Sequence, residues 1–153
     1  MYSKEESAAI KKNFWTTLGR YLKAVPSAEG ILVNWINYRT GIKQVFFRMD
    51  VYKKTTYIGI ELHHDDEGIR ELFFEQFLEL KTYLHSVVEE EWVWEDQYYN
   101  GSREISRIYT SIDGYNIHNK DQWPEIISFL KPRIIKLDEF WADAKYSFDS
   151  LVN

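Results

Sequence analysis

Cysteine is absent from this 153-residue chain, which removes disulfides, thiolate metal ligands and cysteine nucleophiles at once. Long apolar runs are missing too: no stretch approaches the roughly 20 residues needed to span a bilayer, and no membrane role is expected. Positive charge is not in excess. Lys and Arg number 19 against 24 Asp and Glu, and the net charge of -5 disfavours a general nucleic-acid binder, whose affinity rests on neutralised phosphates. A local basic patch remains compatible with that balance. There is no Gly-x-Ser-x-Gly elbow and no glycine-rich phosphate loop, so nucleophilic catalysis finds no support in sequence spacing. The opening residues Met1-Tyr2-Ser3-Lys4-Glu5-Glu6 are charged and lack an apolar core, which points to a cytoplasmic protein.

Aromatic residues, by contrast, are plentiful. They make up 17% of the chain within a hydrophobic share of 44% and a charged share of 28%, the composition of a globular protein. The length fits one α+β domain over residues 1–153. Each ring either joins the core or is held outside as a binding platform.

Ser3 and Glu6 have the form of a capping box before a helix whose apolar side is Ile10, Phe14, Trp15, Leu18 and Leu22. Residues 31 to 63 read as a three-stranded antiparallel meander, with turns at Thr40-Gly41 and Lys53-Lys54-Thr55. Setting Asp50 opposite Tyr57 places Val45, Phe47 and Met49 opposite Leu62, Ile60 and Ile58, all on one face. Gln44, Phe46, Arg48 and Asp50 then share the other face with Tyr57, Gly59, Glu61 and His63. A central helix follows, with Ile69, Leu72, Phe73, Phe77, Leu80, Leu84 and Val88 as its buried stripe. Asn100-Gly101 marks a hairpin between residues 92–99 and 102–112. Trp123-Pro124 opens a long last helix, kinked or split by Pro132, with Ile127, Leu130, Ile134, Leu137, Trp141, Ala144 and Phe148 on one face.

Asn34-Trp35-Ile36-Asn37-Tyr38, Phe47-Arg48-Met49-Asp50, Gly59-Ile60-Glu61-Leu62 and Phe73-Phe74-Glu75-Gln76-Phe77 resemble segments of an uncharacterised bacterial domain family. So do Trp123-Pro124, Lys131-Pro132-Arg133-Ile134-Ile135 and Asp138-Glu139-Phe140-Trp141. The resemblance spans nearly the whole chain and brings no established activity. Some members look like appendages to restriction-endonuclease-like proteins, which implies a nuclease-associated setting.

The element order also resembles the core of restriction-endonuclease-type nucleases, which bind Mg²⁺ through an acid on the second strand and an acid-x-lysine triplet on the third. Glu61-Leu62-His63 stands at the triplet, with histidine where lysine is needed. Phe46 and Gln44 lie opposite Glu61 and His63, and neither is an acid. Asp50 lies about 13 Å along the ladder, too far to share an ion with Glu61. Glu61, His63, His64, Asp65 and Asp66 are dense in ligand types but match no standard metal spacing.

Arg48, Tyr57, Glu61 and His63 share a strand face, either as an Arg48–Glu61 ion pair or as a pocket in which Arg48 grips an anion. Glu67, Glu71, Glu75 and Glu79 form a solvated acidic ladder or a surface for a basic partner. On the hairpin, counting from the turn sets Arg107 opposite Trp94 and Tyr109 opposite Trp92. With Arg103 nearby, these rings and cations are either a packed ladder or a stacking surface. Lys131, Arg133 and Lys136 add basic charge elsewhere. The reading is a non-enzymatic interaction module for a protein or nucleic-acid partner, with no cofactor or metal. A diverged nuclease using Glu61 and a small-molecule sensor with a pocket at Arg48 are the alternatives.

Overall fold

A computed structural model describes residues 2–152, and among these lie four α-helices and one four-stranded antiparallel sheet, an α+β architecture. Helix α1 (Lys4–Leu22) begins at the expected capping box: the Glu6 amide donates to Ser3 Oγ at 3.1 Å and the Ser3 amide to Glu6 Oε1 at 3.1 Å. Strands β1 (Val45–Val51) and β2 (Thr55–Leu62) form the expected hairpin in the expected register, Asp50 against Tyr57 and Val45 against Leu62. After α2 (Glu67–Glu79) and α3 (Lys81–Val88) come β3 (Val93–Asn100), β4 (Arg103–Asp113) and α4 (Trp123–Ala144). The strand order is β1-β2-β4-β3, so the central strands are β2 and β4 and the edges are β1 and β3.

Three expectations are corrected. The first strand of the meander does not form: residues 31–43 make a loop that touches the sheet through a single bridge, Arg39 to Phe46. Long-range hydrogen bonds hold this loop to α4 instead. The buried Asp138 carboxylate accepts the Ala28 amide at 2.7 Å and the Tyr38 hydroxyl at 2.6 Å, and Trp141 Nε1 donates to the Thr40 carbonyl at 2.8 Å. Locally, Asn34 Oδ1 accepts the amides of Ile36 and Asn37, turning the chain out of the extended state.

The central helix is two helices that meet at Leu80; Phe73, Phe77, Leu84 and Val88 of the expected stripe are buried, Arg70 and Phe74 join them, and Ile69 and Leu72 are exposed. Phe73 and Phe74 are both buried, which turns the inner stripe by one residue and brings Arg70 inside. The third correction concerns the last helix, which Pro132 does not split: it runs as one helix from Trp123 to Ala144 with the proline inside it. All seven residues of its expected face, from Ile127 to Phe148, are buried.

The helices pack on one face of the sheet. Phe47, Ile58, Ile60, Leu62 and Ile108 meet Phe77, Leu137, Phe140, Trp141 and Phe148 in one apolar cluster. Among the described residues no helix covers the other face, which α1 reaches only at its β1 edge through Lys11 and Trp15, and that open face carries the polar residues of interest.

Candidate functional site

Alternation along β2 puts Tyr57, Gly59 and Glu61 on the open face, and their partners on β4 are Ser111, Tyr109 and Arg107. Gly59 lets this face close down. A β-carbon there would come within 2.6 Å of Tyr57 Oη and 2.8 Å of Tyr109 Cβ. The Tyr57 phenol therefore lies along the strand over Gly59 and donates to Glu61 Oε2 at 2.9 Å.

His63 Nε2 meets the other Glu61 oxygen at 2.8 Å, and its ring packs edge-on to Phe46 at 4.8 Å. Burial opposes the charge on Glu61, but hydrogen bonds from His63 and Tyr57 outweigh it and hold the carboxyl below its usual range. Burial first, then the Glu61 charge, push the Tyr57 hydroxyl well above the ordinary tyrosine range, so it stays a donor.

With both Glu61 oxygens occupied, the expected Arg48–Glu61 ion pair does not form. Arg48 has no acidic partner within ion-pair reach among the described residues, and its guanidinium lies 4.6 Å from the Phe46 ring centre. A groove of about 810 Å³ opens around it, lined by Phe46, Arg48, Asp50, Tyr57 and Glu61 on the sheet and by Tyr52 and His63 just beyond the strand ends. Trp15 and Arg39 border it beyond β1. Burial, followed by the nearby Asp50 charge, raises the Tyr52 hydroxyl to about 12.

The hairpin residues fall differently from expectation. Asn100 pairs with Arg103, so Gly101 and Ser102 form the turn, and the register shifts between Glu95 and Tyr98. Arg107 therefore faces Glu95, which it binds at 2.7 Å, and Tyr109 faces Val93. The bulge also decides the tryptophans. Trp92 is buried with its Nε1 on Glu90 at 2.7 Å, and Trp94 packs toward Phe74 with its Nε1 on His85.

Neither tryptophan is part of the open face. Arg107 is, sandwiched at 3.4 Å from the Tyr98 ring centre and 4.0 Å from that of Tyr109. Arg103 is exposed and ties the His63 carbonyl and Asp65 to the hairpin. The structure thus brings Arg48, Tyr57, Glu61 and His63 together, sets Arg107 on the same face, and takes Trp92 and Trp94 away. Sequence reasoning missed Trp15, Arg39 and Tyr52 as groove residues and Gly59 as the position over which Tyr57 lies; a glycine inside a strand was the one available signal.

The other candidate surfaces resolve simply. His64 is buried against Phe73, Asp65 is exposed, and Asp66 caps α2 through the Ile69 amide at 3.0 Å. Among the described residues no group of three or more His, Asp or Glu is placed to hold one metal ion. The four glutamates of the α2 ladder are all exposed. Arg133 pairs with Glu90 at 2.7 Å and Lys136 with Glu89 at 3.4 Å.

Residues 10–145 match the family described as Domain of unknown function (DUF4268), and the chain belongs to that family. No curated protein and no solved structure matches it. No helix of the described residues is long and apolar enough to cross a membrane.

Proposed function

We propose that the chain is a binding module that takes a single strand of nucleic acid in the groove beside β1. The observation that carries this reading is Arg48, an unpaired cation stacked on Phe46 inside a groove bordered by Tyr52, Tyr57 and Trp15. Cations that meet phosphate and rings that meet bases are the two requirements of single-strand binding.

Charge distribution supports the same ligand. Residues 39–57 contain Arg39, Lys43, Arg48, Lys53 and Lys54 against the single acid Asp50, a net +4 in a chain of net charge -5. This stretch holds a local basic excess beside the groove, whose own lining sets Arg39 and Arg48 against Asp50 and Glu61.

Addition of a peptide strand to the β1 edge is less well supported. The Gln44 carbonyl accepts the His63 amide, so even-numbered residues bond β2 and odd-numbered ones face outward. Of those outward groups, the Val45 carbonyl already accepts the Thr40 hydroxyl at 2.7 Å and the Val51 amide donates to Asp50 at 2.8 Å. The edge is blunted. The resemblance to nuclease appendages adds the expectation of a cytoplasmic, nuclease-associated role in bacteria.

Fluorescence anisotropy with a labelled oligonucleotide tests the proposal. Binding should weaken with salt, and Arg48→Ala should flatten the slope of log K against log salt by about 0.7, one phosphate contact on a single strand. An unchanged slope would contradict it. The groove volume is also within the range of small-molecule sites, which favours a sensor as the second reading. A mononucleotide that binds as tightly as the oligonucleotide would select that reading.

A further inference from the structure

The N-terminal part of α1 and the loop before α4 hold a second constellation, made of residues 111 apart in sequence. Ser7 Oγ lies 3.0 Å from His118 Nε2, and His118 Nδ1 lies 3.1 Å from Asn116 Oδ1. The tautomer follows from the bonds. Asn116 Oδ1 also accepts the His118 backbone amide at 2.9 Å, so it faces His118 as an acceptor and takes the Nδ1 proton. Nε2 then carries the lone pair and accepts the Ser7 hydroxyl. This is the arrangement of nucleophile, base and orienting group that activates a serine.

The surrounding loop is rigidly wired. The Asn116 amide donates to Gln122 at 2.7 Å, the Asn119 amide to the Asn116 carbonyl at 2.9 Å, and Tyr2 stacks on His118 at 4.7 Å.

A cavity of about 290 Å³ adjoins His118, lined also by Asn13, Arg20, Lys120 and Trp123. Lys120, two residues from His118, has no acidic partner within ion-pair reach among the described residues, whereas Arg20 stands about 20 Å along α1 from Ser7. A free cation two residues from the histidine suits an anionic substrate. No residue lines both this cavity and the Arg48 groove.

We propose that Ser7, His118 and Asn116 form a hydrolytic site for small anionic esters, with Ser7 as nucleophile, His118 as base and Asn116 as a positioning residue. Ser7 Oγ bonds to the ester carbonyl carbon as its proton passes to His118 Nε2. The carbon–oxygen bond to the alcohol breaks, and His118 returns the proton to that leaving oxygen. Water then attacks the acyl-serine, giving its proton to His118, and the acid departs as Ser7 regains its hydrogen.

The test is labelling of the folded chain with a fluorophosphonate, followed by peptide mass spectrometry, alongside hydrolysis of 4-nitrophenyl acetate and of the half-ester of succinic acid with 4-nitrophenol. The label should fall on Ser7, and Ser7→Ala should abolish both labelling and turnover. His118→Gln should slow turnover by about 10²-fold or more. Asn116→Ala should lower kcat and displace the pH–rate profile with KM held, and Lys120→Ala should raise KM for the succinate ester alone. Circular dichroism confirms that each variant is folded. Absence of label from Ser7 in the folded wild-type chain, or turnover by Ser7→Ala equal to wild type, would overturn the proposal.

Discussion

Gly59 is the residue on which the open face depends. It is buried within β2, and any β-carbon there strikes Tyr57 Oη and Tyr109 Cβ. Gly59→Ala should cost about 1–3 kcal/mol in urea unfolding, because overpacking forces neighbours off their rotamers. It should also weaken ligand binding in the groove, since Tyr57 loses its place over the strand. A variant with wild-type stability and affinity would show that Tyr57 is held by other means.

His64 sets a pH limit at the same scale. Its Nδ1 is buried without a partner, and burial, then the charges of Arg70 and His63, push its pKa below the ordinary 6.5. The buried Arg70 itself bonds the His64 carbonyl, Ser106 and Glu104. The unfolded chain therefore takes up a proton at His64 that the folded chain resists. This stability is present above about pH 6.5 and is lost as pH falls from there toward the folded pKa. Thermal melts should show wild type losing stability between pH 6.5 and 5 more steeply than His64→Phe. Parallel slopes would place the acid sensitivity elsewhere.

At the scale of elements, the loop over residues 23–44 is a side-chain construction. Asp138→Ala removes the acceptor of both the Ala28 amide and the Tyr38 hydroxyl, at about 1–3 kcal/mol for each donor left unmet. Chemical denaturation should show the loss, and Asp138→Asn, which keeps one acceptor, should lose less. An unchanged midpoint for Asp138→Ala would mean that the loop is held without it.

The same loop explains what the sequence could and could not disclose. The β1–β2 register was legible because strict alternation tolerates no slip by one residue. The missing first strand was not, because bonds from Asp138 and Trp141 link residues about 100 positions apart and leave no periodic trace. The β3–β4 register failed at the turn and at the bulge between Glu95 and Tyr98, and the tryptophans moved into the core with it. Arg48, Tyr57, Glu61 and His63 were found together because they share the legible hairpin. Ser7 and His118 were invisible to spacing for the opposite reason.

At the scale of the whole molecule, one face of the sheet is covered by helices and the other is left with an arginine-rich, aromatic surface. Residues 39–57 carry a net +4 in a chain of net charge -5, and the groove beside them sets Arg39 and Arg48 against Asp50 and Glu61. Binding to the groove should therefore be steered locally and lost at high salt.

The most direct measurement is a ¹H–¹⁵N correlation titration of the ¹⁵N-labelled chain with a short single-stranded oligonucleotide. The account predicts progressive shifts at Phe46, Arg48, Tyr57, Glu61 and His63, with α4 and the Trp92 indole unmoved. Shifts confined to α4 or to the Lys131–Lys136 segment, or none at saturating oligonucleotide, would contradict it.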